Sequence, residues 1–83
     1  MTINHRMNHK NFRICISSPP DRGQLVAEVS ADDIQWAELN QEAGTLTLEL
    51  YPRPDGEPWI FDFEAALGVL QEARQKLTGF PAK

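Results

Sequence analysis

Apolar and polar residues alternate most regularly in one stretch near the middle of the chain. The apolar positions there are three leucines, Leu46, Leu48 and Leu50. A period of two places successive side chains on opposite faces of a β-strand, so residues 45–51 predict a strand with one apolar face. Pro52 follows directly and has no N–H to donate, so we expect regular strand pairing to end before it.

Weaker alternations of the same kind precede this strand. They predict strands at residues 11–17, 24–30 and 34–40. The connections between these strands are shorter than the roughly dozen residues that a parallel crossover needs, so the strands should pair antiparallel in chain order. The proline-rich turn at residues 52–58 leads into the apolar residues 59–61, which predict a short fifth strand.

The last third of the chain repeats its apolar residues at spacings of three and four, which predicts a helix with one apolar stripe. The stripe comprises Phe63, Ala66, Leu67, Leu70, Ala73 and Leu77. Asp62 has the side chain of an N-cap, and Gly79 is placed for a left-handed C-terminal cap, with Phe80 and Pro81 after it. Gly68 lies inside the helix, where we expect it to allow close approach to the sheet. The predicted fold class is α+β, an antiparallel meander of four to five strands with one C-terminal helix packed across one face.

A chain of 83 residues forms one domain. Residues 1–10 are polar and without periodicity and predict a disordered tail, which leaves residues 11–83 as the single α+β domain. No apolar run approaches the roughly 18 residues of a membrane span, and no apolar segment follows the basic N-terminus as it would in a signal peptide. With one cysteine, Cys15, a disulfide framework is excluded, and a cytoplasmic location is the default expectation.

One helix can cover only one face of the sheet, so the other face is expected to be open. If Val26, Ile34 and Trp36 share that face with Tyr51 or Trp59, they form an apolar patch that needs a partner. A register shift of one residue would reverse this assignment, because it moves each side chain to the opposite face. We expect one of the two tryptophans in the core and the other at an interface.

Charge is concentrated in the middle of the chain. Between Glu28 and Glu64 there are ten acidic residues and one basic residue, which gives −9, against −4 for the whole chain. An acidic centre disfavours nucleic acid and anionic membranes as partners and favours a basic protein surface. Acidic side chains also keep small sheets soluble and their edges unpaired, so this pattern has a structural explanation as well.

Residues that could carry chemistry are few. His5 and His9 are spaced for two metal ligands on a helix, but no third ligand lies nearby, so no metal site is predicted. Cys15 lacks a histidine outside the predicted tail to activate it. Gly-rich phosphate loops, paired cysteines and the HExxH motif do not occur, and a domain of this size has little room for a pocket. The sequence therefore predicts no enzyme and no cofactor; a very small enzyme would require a titratable cluster in a cleft.

The chain resembles a group of short bacterial proteins, a resemblance that implies no activity. It is carried by four segments, LVAEVS, QWAELNQEAG, LTLELYPRPDGEPW and FDFEAALGVLQEARQKL. In size, acidity and lack of catalytic residues the chain is also similar to immunity proteins, which neutralise secreted polymorphic or contact-dependent toxins. That second similarity has no motif and transfers no site residues. It implies an antitoxin-like protein that blocks a basic toxin domain, commonly a nuclease, through an acidic face.

The sequence thus predicts a non-catalytic protein-interaction module that binds a basic protein. Trp36 and Tyr51 are predicted as apolar anchors. The charged residues of the predicted binding surface are Glu38, Glu42, Glu49, Arg53, Asp55 and Glu57, and they would select the partner by charge complementarity. The alternative is a small homodimeric structural or accessory protein that buries its open sheet face against a second copy.

Overall fold

A computed structural model describes residues 11–79 of the chain. Its elements are β1 (Phe12–Ser17), β2 (Val26–Ala31), β3 (Ile34–Asn40), β4 (Thr47–Leu50) and α1 (Phe63–Thr78). The strands form one antiparallel sheet in the order β1-β2-β3-β4, and α1 packs across it, mainly on β2 and β1. The predicted α+β meander with a C-terminal helix is confirmed, and the predicted N-terminal tail lies outside the described residues.

The predicted fifth strand does not form. Residues 59–61 pair with no strand of the described chain and are held by their side chains instead. The Trp59 indole N–H donates a hydrogen bond to the carbonyl of Tyr51 at 3.0 Å. The Phe61 ring packs 4.6 Å from that of Trp36, centroid to centroid. The apolar, β-prone composition of this segment therefore serves packing at one end of the sheet rather than strand pairing.

A tight turn joins β2 to β3, as the sequence predicts. Asp32 and Asp33 both have positive φ, 52° and 70°, which is the backbone of a type I′ hairpin turn. Aspartate is one of the residues that tolerates this left-handed region. The N–H of Asp32 donates to the carbonyl of Asn11 at 3.1 Å, and its Oδ1 accepts from the Asn11 N–H at 3.2 Å. The turn therefore also fixes the start of β1.

An irregularity in β3 decides where Trp36 lies. Val29 pairs with Ala37, but the next residue of β2, Ser30, pairs with Gln35, so Trp36 is an extra residue in β3. Such a bulge redirects the side chains around it. Trp36 is 4% exposed in the core, next to the ring of Phe12 at 5.8 Å. The prediction that Trp36 belongs to an open apolar face is wrong for this reason.

The helix begins as predicted and ends differently. Asp62 is the N-cap, and its side chain accepts from the N–H of Ala65 at 2.9 Å. Gly79 has φ of −82°, so the predicted left-handed cap is wrong; Phe80 and Pro81 lie outside the described residues. The centre of the packed stripe is formed by Val69, Ala73 and Leu77. A Cβ added to Gly68 would meet no atom within 4 Å, so this glycine does not serve close approach to the sheet.

Candidate functional site: the polar face of the sheet

The sheet face opposite the helix is polar rather than apolar. Its central feature is a row of three glutamates on adjacent strands, because Glu28 pairs with Glu38 and Glu38 pairs with Glu49. Directly opposite residues of neighbouring strands share one face. Val26 also belongs to this face, opposite Ser17, but it is completely buried. We call the surface formed by Glu28, Glu38, Glu49, Tyr51 and Arg22 the polar face.

Glu38 is the centre of a hydrogen-bonded network. It is 5% exposed, and its carboxylate accepts from the Tyr51 hydroxyl at 3.2 Å and from Asn40 Nδ2 at 3.1 Å. Arg22 Nη2 lies 2.9 Å from Glu38 Oε2. A buried carboxylate needs such partners because an unpaired charge is costly to desolvate. Burial, followed by the Glu38 carboxylate, raises the pKa of Tyr51 above its ordinary value of 10.0.

Arg22 is the one cation in contact with this glutamate row within residues 11–79. It comes from the loop between β1 and β2 and contacts both carboxylate oxygens of Glu49, at 3.1 and 3.0 Å. Partial burial lowers the pKa of Arg22, but Glu38 and Glu49 outweigh that effect and hold this pKa above its ordinary value. Glu42 fixes the same loop by accepting the N–H groups of Gly23 and Gln24, both at 3.1 Å.

Glu28 has no cation within salt-bridge distance among the described residues. Its carboxylate accepts one hydrogen bond, from the Ser17 hydroxyl at 3.1 Å. Three carboxylates and one guanidinium leave the row with a surplus of two negative charges. Glu28 is half-buried, and the side chain of Glu49 is 36% exposed. Both can therefore accept further donors from outside the chain, whereas Glu38 cannot.

The loop after β4 is stiff and charged. Arg53 and Asp55 form a two-point ion pair, with distances of 3.0 and 2.7 Å, and the Arg53 guanidinium lies 5.3 Å from the Trp59 ring centroid. The hydrogen bond from Arg53 and the N–H of Glu57 lower the pKa of Asp55. Arg53 and Asp55 are therefore engaged within the loop, while the carboxylate of Glu57 is exposed.

The residues predicted as a binding surface are only partly brought together. Glu49 and Tyr51 lie on the polar face with access to solvent, and Glu57 lies in the loop that follows. Glu38 lies on the same face but beneath Arg22, and Glu42 anchors a loop. Trp36 is on the other side of the sheet, in the core.

Sequence reasoning missed Arg22, Glu28 and Asn40 as members of the site. Arg22 lies in an irregular loop, where no periodicity indicates its direction. Glu28 and Asn40 alternate with apolar neighbours, and this alternation could have placed them on the face away from the helix. Their alignment with Glu38 and Glu49 depends on strand register, which the alternation alone does not give.

Within residues 11–79, no group of three or more His, Cys, Asp or Glu side chains is arranged to hold a metal ion. His5 and His9 lie outside this range. No helix in the same range is long and apolar enough to cross a membrane. No protein-family model, curated protein sequence or solved structure matches this chain.

Proposed function

We propose that this protein is a non-catalytic interaction module that binds a basic protein through the polar face. In its most concrete form it is a cytoplasmic, immunity- or antitoxin-like inhibitor that covers the basic surface of a toxin or nuclease domain. The observation that carries this proposal is the in-register row of Glu28, Glu38 and Glu49, which shares one arginine.

The row is costly for the isolated domain. Like charges directly opposite each other in a sheet are destabilising, and Arg22 contacts only two of the three carboxylates. A lysine or arginine of a partner placed beside Glu28 would relieve that repulsion. Binding of a basic surface would therefore offset a repulsion that Arg22 relieves only in part.

The exposed members of the polar face would make the contacts. Glu28 and Glu49 would accept hydrogen bonds from basic side chains, in the charge-assisted form that is stronger than a neutral bond. Tyr51 is half-buried, and its hydroxyl is already bonded to Glu38, so its ring is held in place beside the carboxylates. Glu57 would extend the negative potential along the loop and speed association, whereas the charge of Asp55 is neutralised by Arg53.

The same geometry favours binding over acid–base catalysis. Glu28 and Glu49 lie on an open sheet face with access to water. General acid–base work uses groups with shifted pKa values held close to a reacting atom, usually in a cleft. A flat row of carboxylates instead suits the flat, polar rim of a protein–protein interface.

The test uses two variants with the same net charge. Glu28→Gln with Glu49→Gln removes two charges from the polar face, and Glu64→Gln with Glu72→Gln removes two from the helix; each changes the net charge from −4 to −2. Each immobilised variant and the parent chain is incubated with lysate of a source that contains secreted nuclease toxins, at ~50 mM and ~500 mM salt. Bound proteins are identified by mass spectrometry, and the binding of each is measured with the purified protein.

The proposal predicts a basic protein that binds the parent chain and the helix variant equally. That protein should bind the polar-face variant at least ~10-fold more weakly and be released at high salt, because the contacts are exposed ion pairs. Equal loss of binding in both double variants would show that only net charge matters and would refute the polar face as the site. A partner that binds both variants and the parent alike would refute it as well.

A further inference from the structure

Most of the large apolar side chains that remain exposed lie in or next to β4, in the segment that follows it and in the first turns of α1. Six of them are between 39% and 70% exposed: Leu46, Leu48, Leu50, Ile60, Phe63 and Leu67. Leu48 and Leu50 pair with Leu39 and Ala37, which belong to the core, so these two leucines share the core face. They remain exposed because α1 packs mainly on β2 and β1 and leaves β4 uncovered.

The two flanks of α1 differ, and the apolar flank lies on the side of β4. An open groove of about 510 Å³ lies between α1 and β1, lined on the helix by residues that include Glu64, Gly68 and Glu72. Phe63 and Leu67 are one turn apart on the opposite flank of the helix, towards β3 and β4. We call the exposed apolar surface formed by Leu46, Leu48, Leu50, Ile60, Phe63 and Leu67 the apolar trough.

The outer edge of β4 is also unoccupied within residues 11–79, where no strand pairs with it. The N–H of Tyr51 donates to the carbonyl of Trp36 at 2.9 Å, so Tyr51 points its N–H towards β3. Backbone groups alternate in direction along an antiparallel strand. Leu48 and Leu50 therefore direct their N–H and C=O groups away from β3, at the same place where their side chains are exposed.

We propose that the apolar trough binds a second copy of this chain. The two β4 strands pair antiparallel across a twofold axis, so that the two sheets become one, and the Phe63 and Leu67 flanks of the two helices close over the leucines. This surface is on the opposite side of the sheet from the polar face, so the proposal stands or fails independently of the proposed function.

Pairing of two β4 strands agrees with the symmetry, the charge and the free edge of this surface. A twofold axis needs a self-complementary surface, and an antiparallel strand edge with leucines at alternate positions is one. The six trough residues carry no charge, so they add no repulsion between the two copies. Within residues 11–79, β4 has one unpaired edge, so pairing of two β4 strands uses both edges and this contact closes at two copies.

The exposed area of the trough is compatible with a dimer. Five of the six side chains are Leu or Ile, so we take about 150 Å² for each, the lower end of the aromatic range. Because they are about half exposed, they contribute on the order of 500 Å² per copy. Two copies would then bury about 1,000 Å² from these side chains, the smallest size expected of a specific interface. A monomer rarely exposes a contiguous apolar patch larger than roughly 300–600 Å². The trough is thus at the limit of what an isolated domain exposes.

Charge selects one register among the pairings. If Leu48 of one copy faces Leu48 of the other, Thr47 faces Glu49 of the other copy, and the leucines meet on the trough side. If the axis passes through Glu49, the two Glu49 carboxylates face each other, which is unfavourable. The first register is therefore the proposed one.

Light scattering after gel filtration tests the dimer at several protein concentrations. The parent chain should have twice the chain mass at high concentration, with no loss of dimer when salt is raised. Leu48→Glu should weaken self-association at least ~100-fold, because each dimer would bury two unpaired carboxylates. Gln75→Glu adds the same charge on the exposed side of α1 and should leave the dimer intact. Circular dichroism checks that both variants fold, and Leu50→Glu replaces Leu48→Glu if the latter does not.

Cysteine crosslinking tests the register in a Cys15→Ser background. Facing residues of a hydrogen-bonded pair have Cα atoms about 5.5 Å apart, a separation that a disulfide spans. Leu48→Cys should therefore form an intermolecular disulfide on oxidation, whereas Thr45→Cys should not, since its two copies would lie roughly 20 Å apart along the strands. A monomeric parent chain at all concentrations would overturn the proposal. So would a dimer that Leu48→Glu leaves intact, or a monomer that uses Leu48 to bind a different protein.

Discussion

Gly68 offers a direct test of how the helix lies on the sheet. It is exposed in the middle of α1, and a Cβ built on it would meet no atom within 4 Å outside its own turn. Glycine costs a helix interior about 0.8–1.0 kcal/mol relative to alanine, in part because it leaves the unfolded chain more freedom. Gly68→Ala should therefore raise the free energy of unfolding by about 0.8 kcal/mol.

Gly79 provides the matched control for this substitution. A Cβ on Gly79 would lie 2.9 Å from the carbonyl oxygen of Gln75, closer than real Cβ contacts allow, so Gly79→Ala should give no gain or a loss. Urea unfolding followed by circular dichroism measures both variants at one fixed protein concentration, which removes any effect of self-association. In thermal unfolding, the gain at Gly68 corresponds to about 3–6 °C for a domain of this size.

A clear loss of stability in Gly68→Ala would contradict the packing described for α1. It would mean that the helix approaches the sheet or another surface at Gly68, as the sequence predicted. The closest contact of the helix with the sheet would then be at Gly68 rather than at Val69. Equal effects of the two glycine substitutions would contradict the distinction between an open position and a crowded one.

Three further predictions concern single side chains. Asp62→Ala removes the N-cap and should lower the free energy of unfolding by about 1 kcal/mol in urea titrations; a neutral result would contradict the cap. Phe61→Ala removes the ring that packs against Phe12, Trp36 and Trp59. It should lower the free energy of unfolding by about 3 kcal/mol and shift the tryptophan fluorescence spectrum. An unchanged spectrum would contradict the packing of Phe61 against the two tryptophans. Tyr51 is the sole tyrosine, so ultraviolet titration should show its ionisation above pH 10.0 in the folded protein and near 10.0 in urea. Because the folded-state pKa is the higher one, the contribution of Tyr51 to stability is present below pH 10 and is lost as the pH rises through the folded-state pKa.

Much of the fold could be predicted from local patterns. Alternation located the four strands, spacings of three and four located α1, and Asp62 was recognised as its cap. Short connections required antiparallel neighbours. Each of these inferences depends on residues close in sequence, where side-chain period and capping chemistry act directly.

The site could be predicted less well because it depends on register. The bulge at Trp36 places Trp36 and Ala37 on the same face of β3, so parity counted back from Leu39 across the bulge assigns Trp36 to the wrong face. The alignment of Glu28 with Glu38 and Glu49 depends on the same pairing. Neither the bulge nor the direction of the Arg22 loop has a local signal.

The resulting domain has two surfaces of opposite chemistry on the two sides of one sheet. The polar face carries surplus carboxylates, and the apolar trough carries leucines beside a strand edge that is unpaired within residues 11–79. Salt should distinguish them, because screening weakens exposed ion pairs and leaves the burial of apolar surface intact or stronger.

Light-scattering mass after gel filtration, at low and high salt and with and without a captured basic partner, tests both surfaces in one experiment. The chain alone should have the mass of a dimer at both salt concentrations. With the partner, a larger complex should form at low salt and should lose the partner, but not the second copy, at high salt. A complex that survives high salt, or one that the Glu28→Gln/Glu49→Gln variant forms as well as the parent chain, would contradict the binding role of the polar face.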